Sequence, residues 1–178
     1  MNGRRIVIGV TGGVAAFKTA ALVSQLVQNG ADVRVTLSHA AESFIGPSTF
    51  AALTGQRVLR EVFDEQHPLG AHIYLADHAE LYCVAPATAN FLAKAAHGIA
   101  DDLLTTLYLA CSCPVLLAPA MNDRMWNSAA VQRNLKQLRD DDVQFVDPEE
   151  GWLSCRTVGK GRMAAPETIY AAIDRLLY

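Results

Sequence analysis

Apolar and polar positions along the chain fall into a repeating order: a short apolar run, a turn of small residues, then a segment with helical spacing. Residues 4–10, ending Ile6-Val7-Ile8-Gly9-Val10, read as a buried strand. Gly12-Gly13 follows, and the spacing predicts a helix from about Val14 to Gln28, stopped by Asn29-Gly30. Asp32–Leu37 reads as a second strand, and residues 48–54 as a short helix ending at Gly55. Leu81–Ala85 is the third strand, followed by helices from Thr88 to Ala96, stopped by Gly98, and from Asp101 to Ala110. The acidic pair at the start of the latter is placed to favour a first helical turn. Pro114–Ala118 is the fourth strand, Asp123 to Arg139 one long helix, and Val143–Val146 a final strand. Pro166 opens a closing helix that runs to Leu177. Strands that alternate with crossover helices predict an α/β fold with a doubly wound parallel sheet. Residues 56–74 and 147–165 fit neither pattern, and irregular segments of that length are usually functional.

Composition narrows the class. A chain of 178 residues with 51% hydrophobic and 19% charged content is expected to form one ordered domain, spanning 1–178. A net charge of −3 leaves no basic excess for phosphate backbones, so nucleic acid is not the expected partner. No apolar run approaches the ~20 residues that span a bilayer. The basic start, Met1-Asn2-Gly3-Arg4-Arg5, leads into a strand rather than a signal-peptide core, so a cytoplasmic location is expected. Cys83 lies in an apolar run and reads as a core thiol. Cys111 and Cys113 have a poor zinc spacing, and no metal is expected. Cys155 stands apart, in a polar segment with Ser154, Arg156, Gly159 and Gly161.

Three turns carry the candidate chemistry. Pro119-Ala120-Met121-Asn122 leaves the fourth strand, where α/β folds bind ligands. It offers an amide and, with Met125, soft apolar side chains; Asn122 suits a helix cap and a ligand contact alike. Thr11-Gly12-Gly13-Val14-Ala15-Ala16 leaves the first strand and would present free N–H groups to an anion. It is neither G-x-G-x-x-G nor a P-loop. The second strand ends in Leu37-Ser38-His39, without the acid that holds a dinucleotide ribose, so a mononucleotide phosphate such as that of FMN fits better. Ala85-Pro86-Ala87-Thr88-Ala89-Asn90 leaves the third strand, where Thr88 and Asn90 could bond a ring edge. Five histidines are present. His67 is expected in solvent, His39 and His97 end elements, His78 sits in a helix, and spacing alone does not select His72 over His78.

Taken in order, these motifs resemble the homo-oligomeric flavin-containing cysteine decarboxylases, and within them the phosphopantothenoylcysteine decarboxylases of coenzyme A biosynthesis. Thr11 to Ala16, His72-Ile73, Ala85 to Asn90, Gly98 to Leu104, Pro119 to Asn122, and Cys155 with Gly159-Lys160-Gly161-Arg162-Met163 carry the likeness. The resemblance implies a flavodoxin-like three-layer αβα sandwich, bound FMN, and trimers, sometimes assembled further, with active sites at subunit interfaces. It implies that Gly12, Gly13, Val14, Ala15, Ser38, Thr49, Thr88, Ala89 and Asn90 hold FMN. It implies catalytic roles for His72, Asn122 and Cys155, with Asn122 gripping the substrate carboxylate. Residues 147–165 match the flap that closes over the substrate; Leu153 and Ser154 within it, and Met125 after the Asn122 loop, join Asn122 as implied substrate contacts. In the family's chemistry the substrate's cysteine moiety is oxidised to a thioaldehyde, loses carbon dioxide to give an enethiol, and is then reduced and protonated. A flap thiol suits the last proton transfer, and a histidine suits proton handling near neutral pH.

The sequence departs from the family at two places. Arg156 stands where a glycine usually follows the flap cysteine, which would alter the flap or add a phosphate contact. His78-Ala79-Glu80 stands where Trp-Ala-Asp is usual. Many bacterial members continue into a synthetase domain, and these 178 residues match the decarboxylase part alone. Two other readings stay open: oxidative decarboxylation of a peptide's C-terminal cysteine, and a non-catalytic FMN-binding regulator.

Overall fold

Five short strands form a parallel sheet in the order β2-β1-β3-β4-β5: β1 Arg5–Val10, β2 Asp32–Leu37, β3 Leu81–Ala87, β4 Val115–Pro119 and β5 Gln144–Phe145. The computed structural model describes residues 1–178. Strand order reverses between β1 and β3, which is the switch point where such sheets bind ligands. All seven residues of β3 are buried, which explains why its sequence is a continuous apolar run rather than an alternation.

Side chains of alternate parity leave opposite faces and build two cores. Ile6, Ile8, Val10, Leu81, Cys83 and Ala85 point to a layer that contains α1 (Ala16–Gln28), α2 (Pro47–Thr54) and α8 (Pro166–Leu177). Val7, Tyr82, Val84 and Leu117 point to a second layer, made by α3 (Ala71–His78), α4 (Ala89–Ala96), α5 (Leu103–Ala110) and α7 (Ala129–Asp140). The result is the flavodoxin-like αβα sandwich that the sequence motifs imply. Each fully buried Leu or Ile contributes roughly 1.5–3 kcal/mol of burial, so cores of 25 and 19 residues hold the strand ends firmly in place. The Cys83 thiol is a core group, pushed up to about 12 by burial.

Several local expectations are corrected. The segment from Asp123 to Arg139 is two helices: α6 (Asp123–Trp126) ends at Asn127, and Ser128 starts α7 by accepting the Val131 N–H at 3.3 Å. Ser128 interrupts the helical period because its hydroxyl offers the next turn a cap. Asp102 is the N-cap of α5 rather than a first-turn residue, in a reciprocal capping box with Thr105. Residues 56–70 are irregular, but Leu59 exchanges backbone hydrogen bonds with Val35 and Leu37 at the edge of β2. His67 is half-covered rather than free in solvent: its Nδ1 lies 3.0 Å from Asp64 Oδ1 and its ring packs on Tyr74. His39 opens a 3-10 turn over residues His39–Ser43, capped by Ser38. The second unassigned segment is an antiparallel hairpin, β6 (Glu149–Trp152) with β7 (Val158–Arg162), standing off the main sheet.

Candidate active site

The loops that leave β1, β3 and β4 meet at the carboxyl edge of the sheet. Thr11 joins the first two: its buried hydroxyl donates to the Pro86 carbonyl at 2.6 Å and accepts from the Thr88 N–H at 3.1 Å. Thr19 donates to the Ala85 carbonyl at 2.7 Å from the first turns of α1. The third loop is tied in by the Ala120 N–H, which donates to the Ala87 carbonyl at 3.1 Å. Together with the hairpin they enclose a cavity of about 1050 Å³. That is at the upper end for a ligand cleft, with room for a cofactor and a substrate side by side.

One wall is shaped for an anion. A Cβ on Gly12 would lie 2.5 Å from Ala40 Cβ and 2.9 Å from its carbonyl carbon, so only glycine lets the two loops pass. Beyond it, the N–H groups of Gly12, Gly13, Val14 and Ala15 have no acceptor within the chain. No side chain caps α1 and no acidic residue lies in its first turn. These orphan donors, at the positive end of a 13-residue helix, fit a phosphate monoester. Ser38 lines the same wall, as do Thr88, Ala89 and Asn90 opposite.

The other wall holds the polar chemistry. Asn122 caps α6 and lines the cavity. Its Oδ1 accepts the Arg124 N–H at 2.8 Å, while its Nδ2 donates to Cys155 Sγ at 3.2 Å. Cys155 Sγ also lies 3.1 Å from the Thr157 hydroxyl. The Thr157 hydroxyl, and after it the Thr157 N–H and the Asn122 amide, hold the Cys155 thiol below the range of an ordinary thiol by stabilising its anion. Met125, Leu153 and Ser154 line the cavity beside them.

The hairpin is fixed at its base and bent at its apex. Gly161 accepts the Met121 N–H at 3.0 Å with φ of +148°, and a Cβ there would stand 2.2 Å from the Met121 carbonyl oxygen. Glu149 bonds Arg162 at 2.8 Å and the Ala165 N–H at 3.1 Å. The Leu153 N–H donates to the Thr157 carbonyl at 2.8 Å and the Arg156 N–H to the Leu153 carbonyl at 2.9 Å, closing the apex over Cys155.

Two residues that the resemblance implies lie elsewhere. His72, in the first turn of α3, does not line the cavity, and its Nδ1 is buried without a partner. Thr49 is exposed on the first turn of α2, outside the cavity. Lys18, Asp102 and Trp152 line it without having been assigned a role from sequence. Lys18 was legible: it sits one helical turn beyond Val14, on the face that the glycine turn presents. Its ammonium donates to the Met163 carbonyl at 2.8 Å, and burial, helped by the nearby Arg162 charge, lowers its pKa.

The model of the Flavoprotein family matches residues 1–178, the whole chain. The chain belongs to the flavoprotein family. This flavoprotein is 48% identical, over 98% of its length, to the coenzyme A biosynthesis bifunctional protein CoaBC of Bacillus subtilis, and 42% identical, over 95%, to that of Escherichia coli. It spans less than half of these curated relatives, 43% and 42% of their lengths. Among solved structures it is similar to the FMN-dependent cysteine decarboxylase SpaF, with 36% identity and a TM-score of 0.85, covering 98% of this chain and 95% of that one. It also superposes on a cysteine-to-serine variant of PPC decarboxylase complexed with pantothenoylaminoethenethiol. There the identity is 27% and the TM-score 0.89, over 98% of both chains. No helix of this flavoprotein is long and apolar enough to cross a membrane.

Proposed function

We propose that this flavoprotein binds FMN and decarboxylates 4′-phosphopantothenoylcysteine to 4′-phosphopantetheine, the decarboxylase step of coenzyme A biosynthesis. The observation that carries the reading is the contact between Asn122 and Cys155 inside a cavity whose other wall suits a phosphate monoester. The free N–H groups from Gly12 to Ala15, with Ser38, would hold the FMN phosphate, and Thr88, Ala89 and Asn90 its ring edge. When bound, FMN supplies the two-electron oxidation that makes the cysteine carboxylate a leaving group, and the matching reduction afterwards.

The chain's own groups do the rest. Asn122 is uncharged and offers N–H donors, so it binds a carboxylate without the like-charge repulsion that an aspartate would bring. Leu153 and Met125 cover the site with apolar surface and exclude water. Cys155, a thiol more acidic than usual at the tip of a hairpin, delivers the proton that completes the saturated thiol.

His72 serves the cavity of a neighbouring copy in a trimer or a multiple of trimers. Phe17, Met125 and Trp152, exposed at the cavity rim where a second copy would cover them, support that assembly.

A cysteine at the flap tip favours this substrate over a peptide ending in cysteine, because a reaction that stops at the enethiol needs no such acid. Release of labelled carbon dioxide from carboxyl-labelled phosphopantothenoylcysteine, beside a labelled peptide with C-terminal cysteine, tests the choice. Release from the first alone is expected; release from the peptide alone would replace the substrate assignment.

A further inference from the structure

Arg156 takes the left-handed position that closes the hairpin apex, where its N–H donates to the Leu153 carbonyl, and its side chain is left without a partner. Its φ is +64°, in the left-handed region that costs a non-glycine residue roughly 1–2 kcal/mol. Its guanidinium makes no ion pair, cation–π contact or hydrogen bond with any other residue. It is the one charged residue between Gly151 and Gly159, so the hairpin apex carries a single, exposed positive charge. The turn fixes the backbone of Arg156 and leaves its guanidinium free for a contact outside the chain.

The position of Arg156 says what that contact is. Its neighbour Cys155 lines the cavity and touches Asn122; Arg156 does not line it. A ligand whose reacting end lies at Cys155 and whose other end leaves the cavity passes the apex. Arg124, in α6 two residues beyond Asn122, is also free of any ion pair, and the Lys160 ammonium has only the Trp126 ring at 5.8 Å. In a chain of net charge −3, three unpaired cations on the two segments that close the cavity mark an anion at its mouth. Two acids share these segments: Glu150 stands across from Lys160 in the hairpin register, and the Asp123 carboxyl packs on Gly159.

We infer that Arg156 binds the terminal phosphate of the substrate and makes this chain selective for phosphorylated over unphosphorylated pantothenoylcysteine. The inference rests on the reaction proposed above. The planar guanidinium gives a phosphate two parallel hydrogen bonds, which glycine at this position cannot supply. Because the phosphate lies far from the reacting carbon, the contact is the same in the ground and transition states. It therefore appears in KM and not in kcat.

The test compares Arg156→Gly, Arg156→Lys and the unaltered protein on both substrates. Glycine suits φ of +64°, so Arg156→Gly is expected to fold at least as stably. Its KM for the phosphorylated substrate should rise about 10-fold at low salt, with kcat unchanged and the unphosphorylated substrate unaffected. Arg156→Lys should lose less. An equal change on both substrates, or none on either, overturns the inference. Should the unaltered protein turn over neither substrate, the reaction itself is wrong. Calorimetric binding of 4′-phosphopantetheine against pantetheine then decides the phosphate contact: a preference lost in Arg156→Gly upholds it, and no preference ends it.

Discussion

The Nδ2 of Asn122 lies 3.2 Å from the Sγ of Cys155, joining a loop at the end of β4 to the tip of a hairpin 33 residues further along the chain. In the proposed reaction the two groups act at opposite ends. Asn122 is suited to the carboxylate that leaves, and Cys155 to the proton that arrives last. Their contact means that one closed position of the hairpin serves both, provided that substrate slips between amide and thiol.

Replacing Asn122 by aspartate keeps the cap on α6, because a carboxylate oxygen still accepts the Arg124 N–H. It puts a negative charge where the proposed reaction has the substrate's carboxylate bind. Turnover is expected to fall by about 10²-fold or more, with flavin content unchanged. Steady-state kinetics on flavin-loaded protein checks this, and full activity would remove Asn122 from the site.

The acidity of Cys155 has a direct readout. The Thr157 hydroxyl is the chief stabiliser of its anion, with the Asn122 amide adding to it. Alkylation by iodoacetamide follows the thiolate, so the reaction of Cys155 should reach half its maximal rate at a pH below that of a free cysteine. As pH falls through that lowered value, the thiolate is protonated and the rate drops. Thr157→Val should move the profile to higher pH. An unmoved profile would show that the Thr157 contact does not set the acidity.

Gly161 is the point at which the hairpin is fixed to the Met121 loop. Alanine there would put its Cβ 2.2 Å from the Met121 carbonyl oxygen and would impose an unfavourable φ of +148°. The backbone strain alone costs about 1–3 kcal/mol. Urea unfolding of Gly161→Ala should show at least that loss, or the hairpin should detach and Trp152 fluorescence change. Unaltered stability and spectrum would mean that the base of the flap is not held as described.

His72 gives a test of assembly. His72→Asn and Asn122→Asp are each expected to be nearly inactive as pure proteins. Co-refolded in equal amounts, they should regain about a quarter of the sites in a cyclic trimer, since one copy's Asn122 then meets its neighbour's His72. No regain would place His72 and Asn122 in one chain's site, or remove His72 from catalysis.

The sheet was legible because strand and helix periods differ and each element had clear punctuation, such as Asn29-Gly30 after α1. The carboxyl-end loops were legible for the same reason: fold class fixes where ligands go. What escaped was set by local polar bonds or by distant packing. Ser128 broke a long helical pattern with one hydroxyl, and Leu59 joined the edge of β2 through backbone bonds that have no sequence signature. The hairpin of β6 and β7 read only as an irregular stretch, because its strands are short, polar and rich in glycine. Lys18 was in view but unassigned, since its partner, the Met163 carbonyl, lies 145 residues away in sequence.

The central claim is that one cavity carries the whole conversion, from carboxylate loss to the final proton. Mass spectrometry of the products from flavin-loaded protein and phosphopantothenoylcysteine, with Cys155→Ser run beside it, tests it most directly. The account predicts 4′-phosphopantetheine from the unaltered protein. From Cys155→Ser it predicts a product two hydrogens lighter, halted at the enethiol. Substrate returned unchanged by the unaltered protein, or 4′-phosphopantetheine formed equally well by both, would contradict it.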